Sequence, residues 1–261
     1  MRVYVSTDLE GVSGVCTFEQ TRERGTDLNN EARRLLMGDV SALVEGLLEA
    51  GAARVAVMDG HGGGFNFIPE LMHPEAEYIT GVARPHAALG MDEKFDAGVL
   101  LGYHAMAGTE KGMLHHTQSS KSGNRYWYNG RECGEIAQSS LVMGHFGIPV
   151  VMVTGDDATC AEAEAFLGER VVGVSVKKGY GRECGCLRSP AWCQDAIRRG
   201  AVQALGRVKD CEPFRMDFPM EGVLRFPDKE TADAFQPRRS RRIDDTGFEA
   251  TFESALEIYG F

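Results

Sequence analysis

The sequence predicts a layered α/β protein: a mainly parallel sheet flanked by helices, with a smaller α+β part toward the C-terminal end. Three observations carry that prediction. Short apolar, β-branched runs such as VYVS (3–6) and IPVVMVTGDD (148–157) lack polar alternation, as strands covered on both faces do. Stretches of helical periodicity lie between them, and the alternation of strand with helix suits parallel crossovers.

In chain order, VYVS is the first strand. EARRLLMGDVSALVEGLLEAGA (31–52) then places apolar residues at 35, 36, 40, 43, 44, 47 and 48, a helical stripe that stops at Gly51. RVAVMDGH (54–61) is a second strand, AEYIT (76–80) a short further one, and DAGVLLGYH (96–104) another apolar run. In RYWYNGRECGEIA (125–137) the pair Asn129-Gly130 signals a type I′ turn and hence a β-hairpin. GEIAQSSLVMGHFG reads as a helix ending near Gly147, and the strand at 148–157 flows into a helix at AEAEAF. Past residue 170, VVGVSVKK (171–178) reads as a strand and GYGRECGCLRS (179–189) as a polar, glycine-rich loop. SPAWCQDAIRRGAVQALGR (189–207) opens with Ser-Pro, an N-cap and first-turn pair. VLRFPD, KETADAFQ and FEATF complete a strand–helix–strand tail.

Composition narrows the class. With 43% apolar and 8% aromatic residues over 261 positions, the chain can bury a sizeable core and is not globally disordered. A formal net charge of −10 argues against nucleic-acid or anionic-membrane surfaces. PRRSRR (237–242) is the one basic cluster and, beside IDD, reads as a solvated loop. No apolar run is long enough to span a membrane, and no apolar leader follows Met1. Seven cysteines, odd in number and without a scaffold pattern, fit reduced thiols in a cytoplasmic protein. Cys184-x-Cys186 reads as free thiols rather than a further metal or redox pair.

Chemistry gathers at strand ends. The first strand ends in Asp8-x-Glu10, the second in Asp59-Gly-His61 and the run at 96–104 in Gly102-Tyr-His104. In an extended segment residues 8 and 10 share a side, so two like charges converge and need a positive partner. Ligands in open parallel sheets bind outside the carboxyl ends of the strands. Asp8, Glu10, His61 and His104 therefore point to a metal, and carboxylate with imidazole suits zinc over magnesium or calcium. His73, His86 and His145 lack such placement. A bridging carboxylate would admit two metals but requires a further ligand. Glu135, after the hairpin, is the remaining candidate, although its spacing alone marks only a helix start. The long polar loop AGTEKGMLHHTQSSKSGN (107–124) holds His115 and His116, of which at most one can reach the site as general acid, base or oxyanion donor. Asp59 is a candidate for orienting ligands, and Asp156 and Asp157 for helix capping.

The ordered series STDLEG (6–11), MDGH (58–61), LGYHAMAG (101–108), LHHT (114–117) and NGRECGE (129–135) resembles the zinc-dependent D-aminopeptidases of the DppA type, closely over residues 1–160 and loosely beyond. The resemblance implies a binuclear zinc metallopeptidase with two Zn2+ per chain, cleaving short peptides that carry N-terminal D-amino acids such as D-Ala. It implies that Asp8 bridges the metals, that Glu10 and His104 complete one shell, and that His61 and Glu135 serve the other. The catalytic histidine it implies is His116, which precedes Thr117, and the assembly it implies is a homodecamer. Residues 1–170 are then expected to form the metal-binding catalytic part, with 171–261 packed into the same unit. The loop 177–188 departs from the family pattern and leaves substrate preference open. Competing readings are a binuclear phosphoesterase, for which Arg22, Arg24 and Arg125 are the available cations, another amidohydrolase, or a non-catalytic metal- or peptide-binding protein.

Overall fold

The structure, a computed structural model, describes residues 1–82, 86 and 88–261. In chain order the strands are β1 (Arg2–Thr7), β2 (Arg54–Asp59), β3 (Glu77–Ile79), β4 (Ala97–Leu101), β5 (Arg125–Tyr128), β6 (Arg131–Glu132), β7 (Val150–Asp156), β8 (Val172–Gly181), β9 (Cys184–Leu187), β10 (Met220–Arg225), β11 (Arg241–Arg242) and β12 (Gly247–Phe252). The helices are α1 (Phe18–Arg22), α2 (Asp27–Glu49), α3 (Glu135–His145), α4 (Asp157–Leu167), α5 (Pro190–Gly206) and α6 (Lys229–Asp233).

A seven-stranded sheet runs β3-β2-β1-β4-β7-β8-β9, and every neighbouring pair is parallel except β8 with β9. The chain steps outward from β1 to β3, then returns and steps the other way from β4. The direction reverses between β1 and β4, which is where open sheets leave a crevice. Alternate side chains of the central strands feed two cores. Val3 and Val5 pack with α2 and α5, whereas Tyr4 packs with α3 and α4 on the opposite face. A second, antiparallel sheet has the order β11-β12-β10-β5-β6. Helix α3 lies between the two sheets: Ile136 and Met143 join the core of the first, Ala137, Leu141 and Val142 that of the second. A helix apolar around most of its circumference belongs in such a position.

The hairpin of β5 and β6 turns through Asn129 and Gly130 with φ of 47° and 77°, the paired left-handed geometry of a type I′ turn. Helix α2 begins at Asp27, four residues before the segment expected at 31–52, because Thr26 caps it by accepting from Asn29 N at 3.2 Å. Most of the segment expected to be a loop at 179–189 is strand. β8 runs on to Gly181 and β9 returns along it at the sheet edge, where exposure removes any apolar signal. Both sheets draw strands from either side of residue 170.

Two close contacts hold the segment that follows β1. Gly11 N donates to Gly102 O at 2.7 Å, and a Cβ on Gly11 would stand 1.8 Å from Tyr103 O. A Cβ on Gly102, at φ 73°, would stand 2.4 Å from Asp8 O. The ammonium of Lys177, buried in β8, donates to Glu10 O at 2.5 Å, Val12 O at 3.1 Å and Val15 O at 2.5 Å. Asp39 of α2 accepts from both the backbone and the hydroxyl of Ser13 in the same loop. The loop that carries Glu10 is thereby closed around a buried cation.

Gly11→Ala is expected to destabilise the protein by more than about 3 kcal/mol, because backbone must move to admit the methyl. Gly206→Ala, with nothing within 4 Å, is expected to be neutral or stabilising by up to about 1 kcal/mol. Urea denaturation of the two variants checks the contrast; equal midpoints would contradict the close approach at Gly11. Lys177→Met strands three carbonyls and is expected to cost about 2–4 kcal/mol in the same measurement.

Candidate metal centre

Register brings the strand ends level. Thr7 of β1 pairs with Asp59 of β2 on one side and with Leu101 of β4 on the other. Asp8 and Glu10 therefore leave the sheet between His61, from the β2 side, and His104, from the β4 side. Both carboxylates are buried, at 6% and 2% exposure. His61 Nδ1 lies 2.9 Å from Asp8 Oδ1 and 3.0 Å from Glu10 Oε2. His104 Nε2 lies 3.2 Å from Asp8 Oδ2 and 3.5 Å from Glu135 Oε1. Glu135 opens α3, and its Oε1 accepts from Gln118 N at 2.7 Å. His116 stacks on His104 at 3.9 Å between ring centroids, with Nε2 3.7 Å from Glu135 Oε1.

The other nitrogen of each ring meets a backbone carbonyl: His61 Nε2 on Thr21 O, His104 Nδ1 on Ala105 O and His116 Nδ1 on Leu114 O. A carbonyl only accepts, so those nitrogens carry the hydrogens. In a neutral ring the remaining nitrogen is a bare lone pair, and in all three it is turned toward carboxylate oxygen. Lone pair against anion is repulsive unless a proton or a metal stands between. His104 Nε2 and Glu10 Oε2 are both buried without a hydrogen bond, the latter because one His61 nitrogen cannot serve Asp8 and Glu10 together.

Protons supply one resolution. Burial alone would depress His61 and His104, yet the facing carboxylates prevail and hold both well above the usual imidazole value. Burial also opposes ionisation of Asp8, Glu10 and Glu135. The histidines outweigh it, holding Asp8 and Glu10 below the usual range and Glu135 down to about 2. His116 differs: burial and the charge of His104 push it below its ordinary value, so it stays neutral.

Metal is the other resolution, and the donors fit it. Nitrogen and carboxylate oxygen in a buried cluster, with imidazole prominent, is a zinc set. Ligand atoms of Asp8, Glu10 and His104 lie within 4.8 Å of one another, as do those of His104, His116 and Glu135. Asp8 presents one oxygen to each of two histidines, the posture of a bridging carboxylate. The shortest distances to glutamate bring His61 to Glu10 and His104 to Glu135, while Asp8, Glu10 and His104 also cluster as the resemblance implies. Strands β2 and β4 flank β1 on opposite sides, and α3, with Glu135, packs on β4.

The six residues singled out from the sequence thus converge, and other candidates do not. His115 is turned away, its Nδ1 accepting from Gly108 N at 3.0 Å. His86 and His145 are exposed and His73 half-buried, away from the cluster. Asp59 accepts from the backbone and amide of Asn66, whose Nδ2 also donates to His61 O, so it steadies the turn carrying His61. Asp156 caps α4 through Thr159 N and also accepts from Met113 N, fixing the long loop. Arg125 is committed to Glu132. Lys177 and Glu162 escaped notice. Lys177 falls in the outward phase set by Val172, Val174 and Val176 and is buried where the register of β8 on β7 shifts, so alternation hides it. Glu162, whose burial raises it to about 7 as it accepts from Met106 N, looks like any helix glutamate.

Two cavities open onto the cluster and share Asp8, Gly60, Gln118 and Glu135. One, of ≈ 410 Å³, is polar and reaches Arg22, Arg24 and Lys121. The other, of ≈ 220 Å³, is lined by Tyr4, Met58, Tyr103, Met143 and Tyr259. Among the described residues no helix is long and apolar enough to cross a membrane.

Comparison with known proteins agrees with this geometry. The sequence profile of the M55 peptidases, described as D-aminopeptidase, matches residues 1–261. The D-aminopeptidase of Bacillus subtilis (strain 168) is 35% identical over 219 residues, spanning 82% of this chain and 77% of that relative. A solved structure, the Zn-dependent D-aminopeptidase DppA from Bacillus subtilis, described as a self-compartmentalizing protease, superposes with a TM-score of 0.92. That match covers 99% of this chain and 94% of the other at 26% identity. Over its whole length, then, the chain belongs to the M55 family of D-aminopeptidases.

Proposed function

We propose that this protein is a binuclear zinc aminopeptidase that removes N-terminal D-residues, D-alanine among them, from short peptides. The observation that carries the reading is Asp8: each of its oxygens faces a different histidine nitrogen whose partner nitrogen is already spent on a carbonyl. Asp8 would bridge two zinc ions, with Glu10, His61, His104 and Glu135 completing their shells. Zinc held there supplies Lewis acidity, polarising a scissile carbonyl and lowering the pKa of water. The carbonyls of Thr21 and Ala105 keep His61 and His104 in the tautomers that ligate. His116, neutral and oriented by Leu114 O, turns Nε2 toward the same space. There it can take up a proton and, once protonated, pass it to the departing amine or donate to developing negative charge on oxygen.

Family membership and the named activities of the two relatives support this reading. The self-compartmentalizing relative supports a homo-oligomer, a decamer enclosing its active sites, with exposed Phe65, Val82, Tyr180 and Trp192 available to interfaces. Seven free cysteines, Cys184 and Cys186 exposed among them, favour the reducing cytoplasm.

Elemental analysis is expected to find about two zinc equivalents per chain, and the loaded protein to cleave D-Ala dipeptides in preference to their L-counterparts. Loaded protein that cleaves neither would overturn the proposal. His116→Ala is expected to keep its zinc while kcat falls by about a hundredfold or more; normal turnover would remove His116 from the chemistry. Zinc must expel the protons that His61 and His104 hold tightly in its absence. Uptake near neutral pH should therefore release protons, and apparent affinity should fall as pH is lowered, by up to about tenfold per pH unit for each proton expelled. Calorimetric titration in buffers of different ionisation enthalpy reads both.

A further inference from the structure

The larger cavity is lined by groups of both signs. Asp8, Glu10 and Glu135 line it together with Arg22, Arg24 and Lys121, of which Asp8 and Glu10 are buried and Arg24 and Lys121 exposed. Among the described residues none of these three cations forms an ion pair, whereas Arg125, Arg198, Arg225 and Arg242 on the same protein do. Nor are they loose. The Arg22 guanidinium lies 3.7 Å from the centre of the Phe18 ring and donates through Nε to Ser120 Oγ and through Nη2 to Ser120 O. Arg182 crowds the same ring at 4.7 Å and shares the same carbonyl, a like-charge arrangement. Arg24 is tied through Nη2 to Gly62 O and Gly64 O, beside His61. Both arginines retain Nη1 for another partner. Once the carboxylates are neutralised by zinc, these charges face the cavity without an anion.

We infer that Arg22, Arg24 and Lys121 form the subsite for the free terminal carboxylate of a di- or tripeptide substrate, an inference that rests on the aminopeptidase reading. Reach sets the length. Gln118 is bonded to Glu135, and Ser120, the anchor of Arg22, is two residues further on, at most about 7 Å away. On the other flank the anchor of Arg24 begins one residue after His61. A dipeptide puts its carboxylate one residue beyond the scissile carbonyl, about 3.8 Å, and a tripeptide about 7 Å. Longer chains carry the carboxylate past the cations. Guanidinium suits the task because it meets carboxylate with paired, planar donors.

The test compares D-alanyl-D-alanine with D-alanyl-D-alaninamide on the zinc-loaded enzyme, its Arg22→Gln variant and its Lys121→Gln variant. The amide removes the charge and leaves the scissile bond. Wild type is expected to favour the free acid by about tenfold in kcat/KM, mainly through KM. Each variant should reduce that ratio severalfold with little change toward the amide. Lys121 is exposed, so its substitution leaves the fold intact, and the acid-to-amide ratio is insensitive to a general loss of activity from Arg22. Cleavage of both substrates at equal rates, or a ratio unmoved in both variants, overturns the carboxylate subsite while the aminopeptidase reading stands. Cleavage of neither by loaded wild type overturns both.

Discussion

Three carboxylates are gathered where a protein ordinarily avoids gathering any. Asp8, Glu10 and Glu135 lie within reach of the same histidines, the first two almost wholly buried, and each would be costly to desolvate alone. Much of the surrounding architecture exists to hold that unfavourable set together. Carbonyls pin three imidazoles, the glycines at 11 and 102 let two backbone segments touch, and Lys177 and Asp39 close the intervening loop from opposite elements. Local strain at a site is tolerated only when its surroundings over-determine it, and here they do.

The sheet explains why the set is divided as it is. β1 lies between β2 and β4, so a carboxylate at its end has a histidine on either hand. Helix α3 adds Glu135 from a different layer and is itself held by two cores. Placing a carboxylate at the first residue of a helix also sets it in the favourable field of the helix dipole. The same helix start thus serves folding and ligation without conflict.

Legibility followed the physics of each signal. Buried parallel strands declare themselves by unbroken apolar runs, so Asp8, Glu10, His61 and His104 could be placed on one rim before any coordinates. Glu135 and His116 could not, because a hairpin and a long loop bring them there and neither has a periodic signal; family resemblance supplied both. The choice of His116 over His115 agrees with the geometry, where one ring stacks on His104 and its neighbour points out. β9 stayed hidden because an exposed edge strand buries little. The packing of the β8–β9 hairpin shows in Gly179 of β8 and Gly185 of β9, where a side chain would strike Lys111 or Met113 of the long loop.

The clamp by Lys177 has a consequence for how the chain is made. Glu10 and Lys177 are 167 residues apart, so the loop that carries the first acidic residues has no cation to close around until two-thirds of the protein has left the ribosome. During that interval the nascent N-terminal part exposes carboxylates and imidazoles in an unfinished arrangement. Those groups are open to whatever divalent ion is present. The timing of translation, as well as the final geometry, therefore bears on which metal such a chain first encounters.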